Sequence, residues 1–196
     1  MKSAATTAGT RNWLKLETSD AHARVDEAYS RFTLHRPEGL AAFLRAHAGA
    51  LAVCAQKMPS DWAAILRRRA EAARFDLSAL RAEPPHELRS APPGDTQGDP
   101  LGVAYVVAGS LHGTTVLRAR FLRDRDPACF PDGFQPMFLQ GAAWKPLWAE
   151  VLDGLAHRAP SAALRDSALA TFALFEAAAL AETSALDEIR IQETAS

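Results

Sequence analysis

One pattern constrains this chain more than any other: apolar residues recur at steps of three and four along almost every long segment. Leu14, Thr18, Ala21, Val25, Ala28 and Phe32 share one face of a helix predicted from Arg11 to about Phe32. Pro37 and Glu38 read as the first turn of a second helix, where a missing N–H is harmless and an acid meets the positive end of the dipole. Its inner stripe is Leu40, Phe43, Leu44, His47, Leu51 and Cys54. Pro59, Ser60 and Asp61 mark a break and a cap, and a third helix runs through Trp62, Ile65, Leu66 and Arg69. Trp144–Leu155 gives another, with Leu147, Trp148, Val151 and Leu155 inward. Pro160 and Ser161 open the last, striped by Leu164, Ala168, Phe172, Phe175 and Ala179.

Strand signals are almost absent. Val103–Val107 has strand propensity, but Tyr105, Gly109 and Gly113 fall at i, i+4 and i+8 and so on one helical face. The segment Leu101–Asp124 is therefore read as a helix containing two glycines. The expected class is all-α, a single-domain helical bundle, and a length of 196 residues suits one domain. Expected boundaries are a loose N-terminus over 1–10, a helical domain over 11–182 and a polar tail over 183–196. Residues 84–100 hold five of the twelve prolines and read as a loop or linker.

Several function classes are excluded. The 22 basic and 23 acidic residues leave a formal charge of −1, which rules out a strong global field for nucleic acid or acidic lipid. Cys54 and Cys129 lie far apart with no CxxC, against a disulfide scaffold or a cysteine zinc site and in keeping with a reducing cytoplasm. The first twelve residues lack the apolar core of a signal peptide. The longest charge-free run, Pro100–Leu117, is too polar and too short to be read as a membrane span. Neither nucleic acid nor membrane is an expected partner. HExxH, Walker, GxSxG and GxGxxG motifs are all missing.

Two places stand out. His22 sits on the apolar stripe of the first helix, with Asp26 one turn later and within reach of the ring nitrogen that a ligating histidine leaves free. Lys15 lies two turns earlier on the same side. The plain alternative is a core-edge histidine satisfied by Asp26. The second place is Gly109-Ser110-Leu111-His112-Gly113-Thr114-Thr115. Each interior helical glycine costs about 1 kcal/mol relative to alanine, so two on one face point to close approach by another group. That group is either a packed helix or a flat ligand. An iron porphyrin between the two helices would take His22 on one face and bare backbone on the other.

Leu14–Phe32, LKLETSDAHARVDEAYSRF, resembles the first helix of heme oxygenases, with an LKxxTxxxH-type motif ending in the proximal histidine. Gly102–Thr115, GVAYVVAGSLHGTT, resembles the distal helix of the bacterial, biliverdin-producing branch. Phe138–Leu152 and Ala168–Ala177 resemble the closing helices, so the likeness touches most of the chain from Leu14 to Ala181. The resemblance implies cleavage of heme, substrate and cofactor at once, to biliverdin, carbon monoxide and iron. Molecular oxygen and an electron donor, a reductase or ferredoxin, are the implied co-substrates, and a bacteriophytochrome is a possible acceptor of the product. It also implies roles: His22 as iron ligand, Asp26 as its acid partner, Lys15 and Lys145 on the propionates, Tyr105 and Phe172 against the heme, and Gly109, Ser110, His112 and Gly113 on the oxygen side.

The chain departs from the family's pattern in three places. Thr114 follows Gly113 where a glycine is usual, His112 stands where relatives have leucine, and Ser110 replaces the acid of some branches. A His112 facing inward would ligate iron or act on bound oxygen; one facing outward is a surface residue. Arg67, Arg68 and Arg69 are read as a solvated face, with a reductase-docking patch as the other reading. Trp62, Trp144 and Trp148 are read as packing residues, and His35, His47, His86 and His157 have no assigned chemistry.

Overall fold

The computed structural model describes residues 3–85, 98–140 and 144–194. Its elements are α1 (Ser3–Glu17), α2 (Ser19–Ser30), α3 (Pro37–Gln56), α4 (Ser60–Ala79), α5 (Pro100–Asp124), α6 (Trp144–Ala156) and α7 (Ala162–Thr194). Two short 3₁₀ turns, Pro127–Cys129 and Met137–Gln140, lie between α5 and α6. No strand occurs among the described residues, so the chain is all-α as expected.

The starts of the helices follow local chemistry. Pro37 opens α3 with Glu38 in the first turn. Pro100 opens α5 behind Asp99, whose carboxylate accepts the Leu101 N–H at 3.0 Å. Asp99 also pairs with Arg158, and its carbonyl accepts the Ser167 hydroxyl at 2.8 Å, tying the start of α5 to α6 and α7.

α3 is the centre of the bundle. It is Ala-rich, buries residues on nearly all sides, and packs on α4 and α7. α7 also packs on α2 and α5, while α6 packs on α1 and α5. Leu14, Leu40, Leu44, Leu66, Leu155 and Leu164 are completely buried in the shared core. The segments Pro100–Asp124 and Ala162–Glu188 are long and apolar enough to cross a membrane by length and composition alone. In the bundle they pack against each other.

The boundaries differ from the expected ones in three places. The first helix is not continuous from Arg11 to Phe32 but breaks at Thr18, which has φ −111° and ψ 3°. Thr18 is buried, and its hydroxyl donates back to the Leu14 carbonyl at 2.8 Å, an i−4 bond of the kind that bends helices. The N-terminal residues expected as loose are helical from Ser3, and Thr10 donates its hydroxyl to the Arg158 carbonyl at 2.7 Å. The polar tail expected from residue 183 continues α7 to Thr194, with Thr183 and Ser184 bonding back to carbonyls of their own helix. Most of the proline-rich stretch, with His86, lies outside the described residues.

Candidate functional site

A cleft of about 570 Å³ opens between the α1–α2 bend, α5 and α6. It is lined by Arg11, Lys15, Thr18, Ser19 and His22 on one wall and Tyr105, Gly109 and Trp148 on the other. Its size falls in the range of small-molecule and cofactor sites. The first wall is one helical face, because its residues are spaced four, three, one and three apart. The bend at Thr18 turns Lys15 and His22 toward the same space.

His22 is held from two sides. Its Nδ1 lies 3.0 Å from Asp26 Oδ2, one turn on. Its ring meets Phe172 edge-on, with centroids 5.5 Å apart. Asp26 thus satisfies the ring as the plain reading has it, but the imidazole is 61% exposed and lies at the surface rather than at a core edge. Nε2 has no hydrogen-bond partner among the described residues. A neutral imidazole with an acid on one nitrogen and the other free is a standard way to hold a metal ligand in place.

The glycines of α5 fall into two kinds, and of them Gly109 lines the opposite wall. A Cβ on Gly102 would lie 2.6 Å from the Leu164 carbonyl oxygen, so this glycine exists to let α7 pack closely. A Cβ on Gly109 would meet only the Trp148 ring, at 3.9 Å, and on Gly113 nothing within 4 Å. Helix packing therefore explains Gly102 and leaves Gly109 and Gly113 unexplained. Both are exposed, on the face that also carries Tyr105.

Tyr105 and Trp148 form a tilted aromatic pair with centroids 5.9 Å apart, and the Arg11 guanidinium lies 5.8 Å from the centre of the Trp148 ring. Burial pushes the Tyr105 phenol above its usual range, so it stays protonated. The cleft holds two cations, Arg11 and Lys15, and no carboxylate of the described residues is in its lining. It suits an anionic ligand with a broad apolar body.

The other expected site residues fall as follows. Phe172 is buried behind His22 and does not line the cleft. Lys145 is exposed on α6 and is not in the lining; Trp148, three residues on, points there instead. Trp148 is thus a site residue rather than only packing, whereas Trp62 is buried and donates Nε1–H to Glu150 at 2.8 Å. Ser110 donates its hydroxyl to the Val107 carbonyl at 2.8 Å, outside the cleft lining. Thr114 is buried and donates to the Leu111 carbonyl at 2.7 Å, so its hydroxyl turns into its own helix and away from the glycine face. The side chains of His112 and Trp144 lie outside the described residues. Arg11 and Ser19 were not singled out from sequence; Arg11 stands one turn before Lys15, a spacing that would have found it.

No family model, no curated protein and no solved structure matches this chain.

Proposed function

We propose that the cleft binds heme and that the chain is a biliverdin-producing heme oxygenase of the bacterial type. One observation carries the reading: an imidazole with a free Nε2 shares a cleft with Gly109, which packing does not require and which stands on the same helix face as Gly113. When bound, heme supplies an iron that activates oxygen with donated electrons and a macrocycle that is opened to biliverdin, carbon monoxide and iron. The chain's own part is to hold and to shield.

In this reading His22 takes the iron through Nε2, and Asp26 fixes the tautomer and raises the basicity of the ring. Arg11 and Lys15 meet the two propionates as charge-assisted donors. Trp148 and Tyr105 supply flat apolar contact. Gly109 would leave the wall opposite His22 open for oxygen, where its bare backbone adds no side chain.

The test is a hemin titration followed by turnover. A Soret band of a histidine-ligated complex is expected, and it should bleach under air with ascorbate or a ferredoxin–reductase system while biliverdin absorption rises. A band that forms and never bleaches would make the chain a heme or tetrapyrrole carrier. No band at all would remove heme from the cleft.

A further inference from the structure

The run Arg67-Arg68-Arg69 is not one solvated face. Arg67 and Arg68 are exposed on α4, but Arg69 is only 6% exposed, which corrects the reading of the whole run. Its guanidinium lies over the Phe138 ring, 4.2 Å from the centroid. The largely buried Arg45 brings an acid with it, Glu182 at 2.6 Å. No such pair forms at Arg69 among the described residues, and its Nε and Nη2 are buried with no hydrogen-bond partner. The acid that acts on Arg69 is Asp76, two turns on along α4. Its carboxylate is already engaged: one oxygen accepts the Met137 N–H and the other the Phe138 N–H, each at 2.8 Å. Burial lowers the Arg69 pKa from 12.5 to about 10 and Asp76 works against that shift, so the group stays charged at neutral pH.

The two unpartnered nitrogens belong together. Nε–H and one N–H of Nη2 run parallel along one edge of the guanidinium, the fork with which arginine grips an anion through two bonds. Buried donors without a partner are costly, and a buried charge without a counter-charge is more so. Phe138 attracts the cation through its ring face but offers no oxygen to either N–H.

We propose that Arg69 binds a small inorganic anion of chloride size through Nε and Nη2, where α4 meets the Met137–Gln140 turn. Water would satisfy the donors but leave the charge; a halide does both. Because both nitrogens are buried, a peptide carboxylate or a nucleotide phosphate, each carrying a larger body, does not reach them. Asp76 repels a divalent anion more than a monovalent one, which favours chloride over sulfate. Arg69 is outside the lining of the cleft, so the site does not depend on what the cleft binds.

The experiment uses the full chain with chloride itself as the probe. Melting curves are recorded over a range of sodium chloride, with sodium gluconate holding ionic strength constant. Each tenfold rise in chloride beyond the dissociation constant should raise Tm by about 3–5 °C. Bromide should replace chloride in this effect. Arg69→Met keeps the length of the side chain and removes the fork, so its Tm should be the same in both salts. Wild-type crystals grown in bromide should show an anomalous peak at hydrogen-bond distance from Nε and Nη2, a readout that needs no variant. A wild-type Tm indifferent to chloride, a chloride effect that survives in Arg69→Met, or bromide crystals with only water at the fork would overturn the proposal.

Discussion

Asp26 Oδ2 lies 3.0 Å from Nδ1 of His22, and this contact decides which ring nitrogen is left for a ligand. Replacing His22 should change stability by no more than about 0.5 kcal/mol, as is usual for exposed side chains away from special features. His22→Ala should nevertheless abolish the histidine-ligated Soret band. Asp26→Asn should weaken hemin binding roughly tenfold to a hundredfold, the usual effect of removing a ligand's supporting hydrogen bond. Hemin titrations beside circular dichroism melts separate the two effects. A normal Soret band in a folded His22→Ala variant would remove the assigned ligand.

The glycines of α5 make a sharper pair of expectations. Gly109→Ala and Gly113→Ala should each stabilise the apo-protein by up to about 1 kcal/mol, because helix propensity improves and a Cβ meets no crowding. In a chain this long that raises Tm by about 2–4 °C. Gly109→Ala should also slow turnover, since its methyl group then faces the cleft. Gly102→Ala should lower Tm instead, because its Cβ would strike the Leu164 carbonyl. Calorimetry of the three apo-variants would show whether these glycines serve packing or a ligand.

Much of this architecture was readable in advance because amphipathic spacing and proline or acidic caps are local properties. The stripe of α3 proved buried at Leu40, Phe43, Leu44, Leu51 and Cys54. The start of α5 at Pro100 was likewise legible. The break at Thr18 was not, because it depends on one side-chain bond to Leu14 inside an unbroken apolar stripe. Spacing also could not separate Gly102 from Gly109, since only the position of α7 distinguishes them. For the site, motif order placed His22, Lys15, Tyr105 and Gly109 on one cleft. Lys145 is exposed and is not in the cleft lining, where Trp148, three residues on, stands instead; spacing along α6 alone does not say which of the two meets a ligand.

Arg11 and Lys15 should read carboxylates and nothing else about the ligand. Arg11→Ala and Lys15→Ala should each weaken hemin binding about tenfold, the scale of one charge-assisted hydrogen bond. Neither should affect binding of hemin dimethyl ester, which has no propionate charge. Lys145→Ala should leave both affinities unchanged, because its side chain is exposed outside the cleft lining. A tenfold loss in Lys145→Ala would restore that residue to the site and displace Arg11.

Arg45 Nε and Glu182 Oε2 meet at 2.6 Å, with side chains 13% and 7% exposed, and the pair joins α3 to α7. Breaking such a pair from one side leaves a buried charge and typically costs about 3–5 kcal/mol. Glu182→Ala should therefore lower Tm on the order of 10 °C. The double variant Arg45→Met, Glu182→Leu should recover most of the loss, because no charge is then stranded. Differential scanning calorimetry of the two variants checks this, and equal losses in both would locate the effect in packing instead.

His47 should contribute to the loss of stability in acid. Its ring packs against Tyr29, Phe43, Phe138 and Phe175, and Nδ1 lies 3.0 Å from the Phe43 carbonyl oxygen. Burial pushes its pKa down from 6.5 to about 3. In the unfolded chain the ring takes up a proton near pH 6.5; in the folded chain it does not until about 3. Unfolding therefore binds a proton between those limits, and stability must fall as pH falls through that window. The group's contribution is complete above 6.5, and its slope below approaches about 1.4 kcal/mol per pH unit. Urea midpoints measured at about pH 7.5, 6 and 5 should decline for the wild type. In His47→Leu the decline should be shallower by that slope, since the variant carries no proton-binding ring at this place. Parallel declines in the two proteins would mean that the imidazole titrates in the folded state much as it does in water.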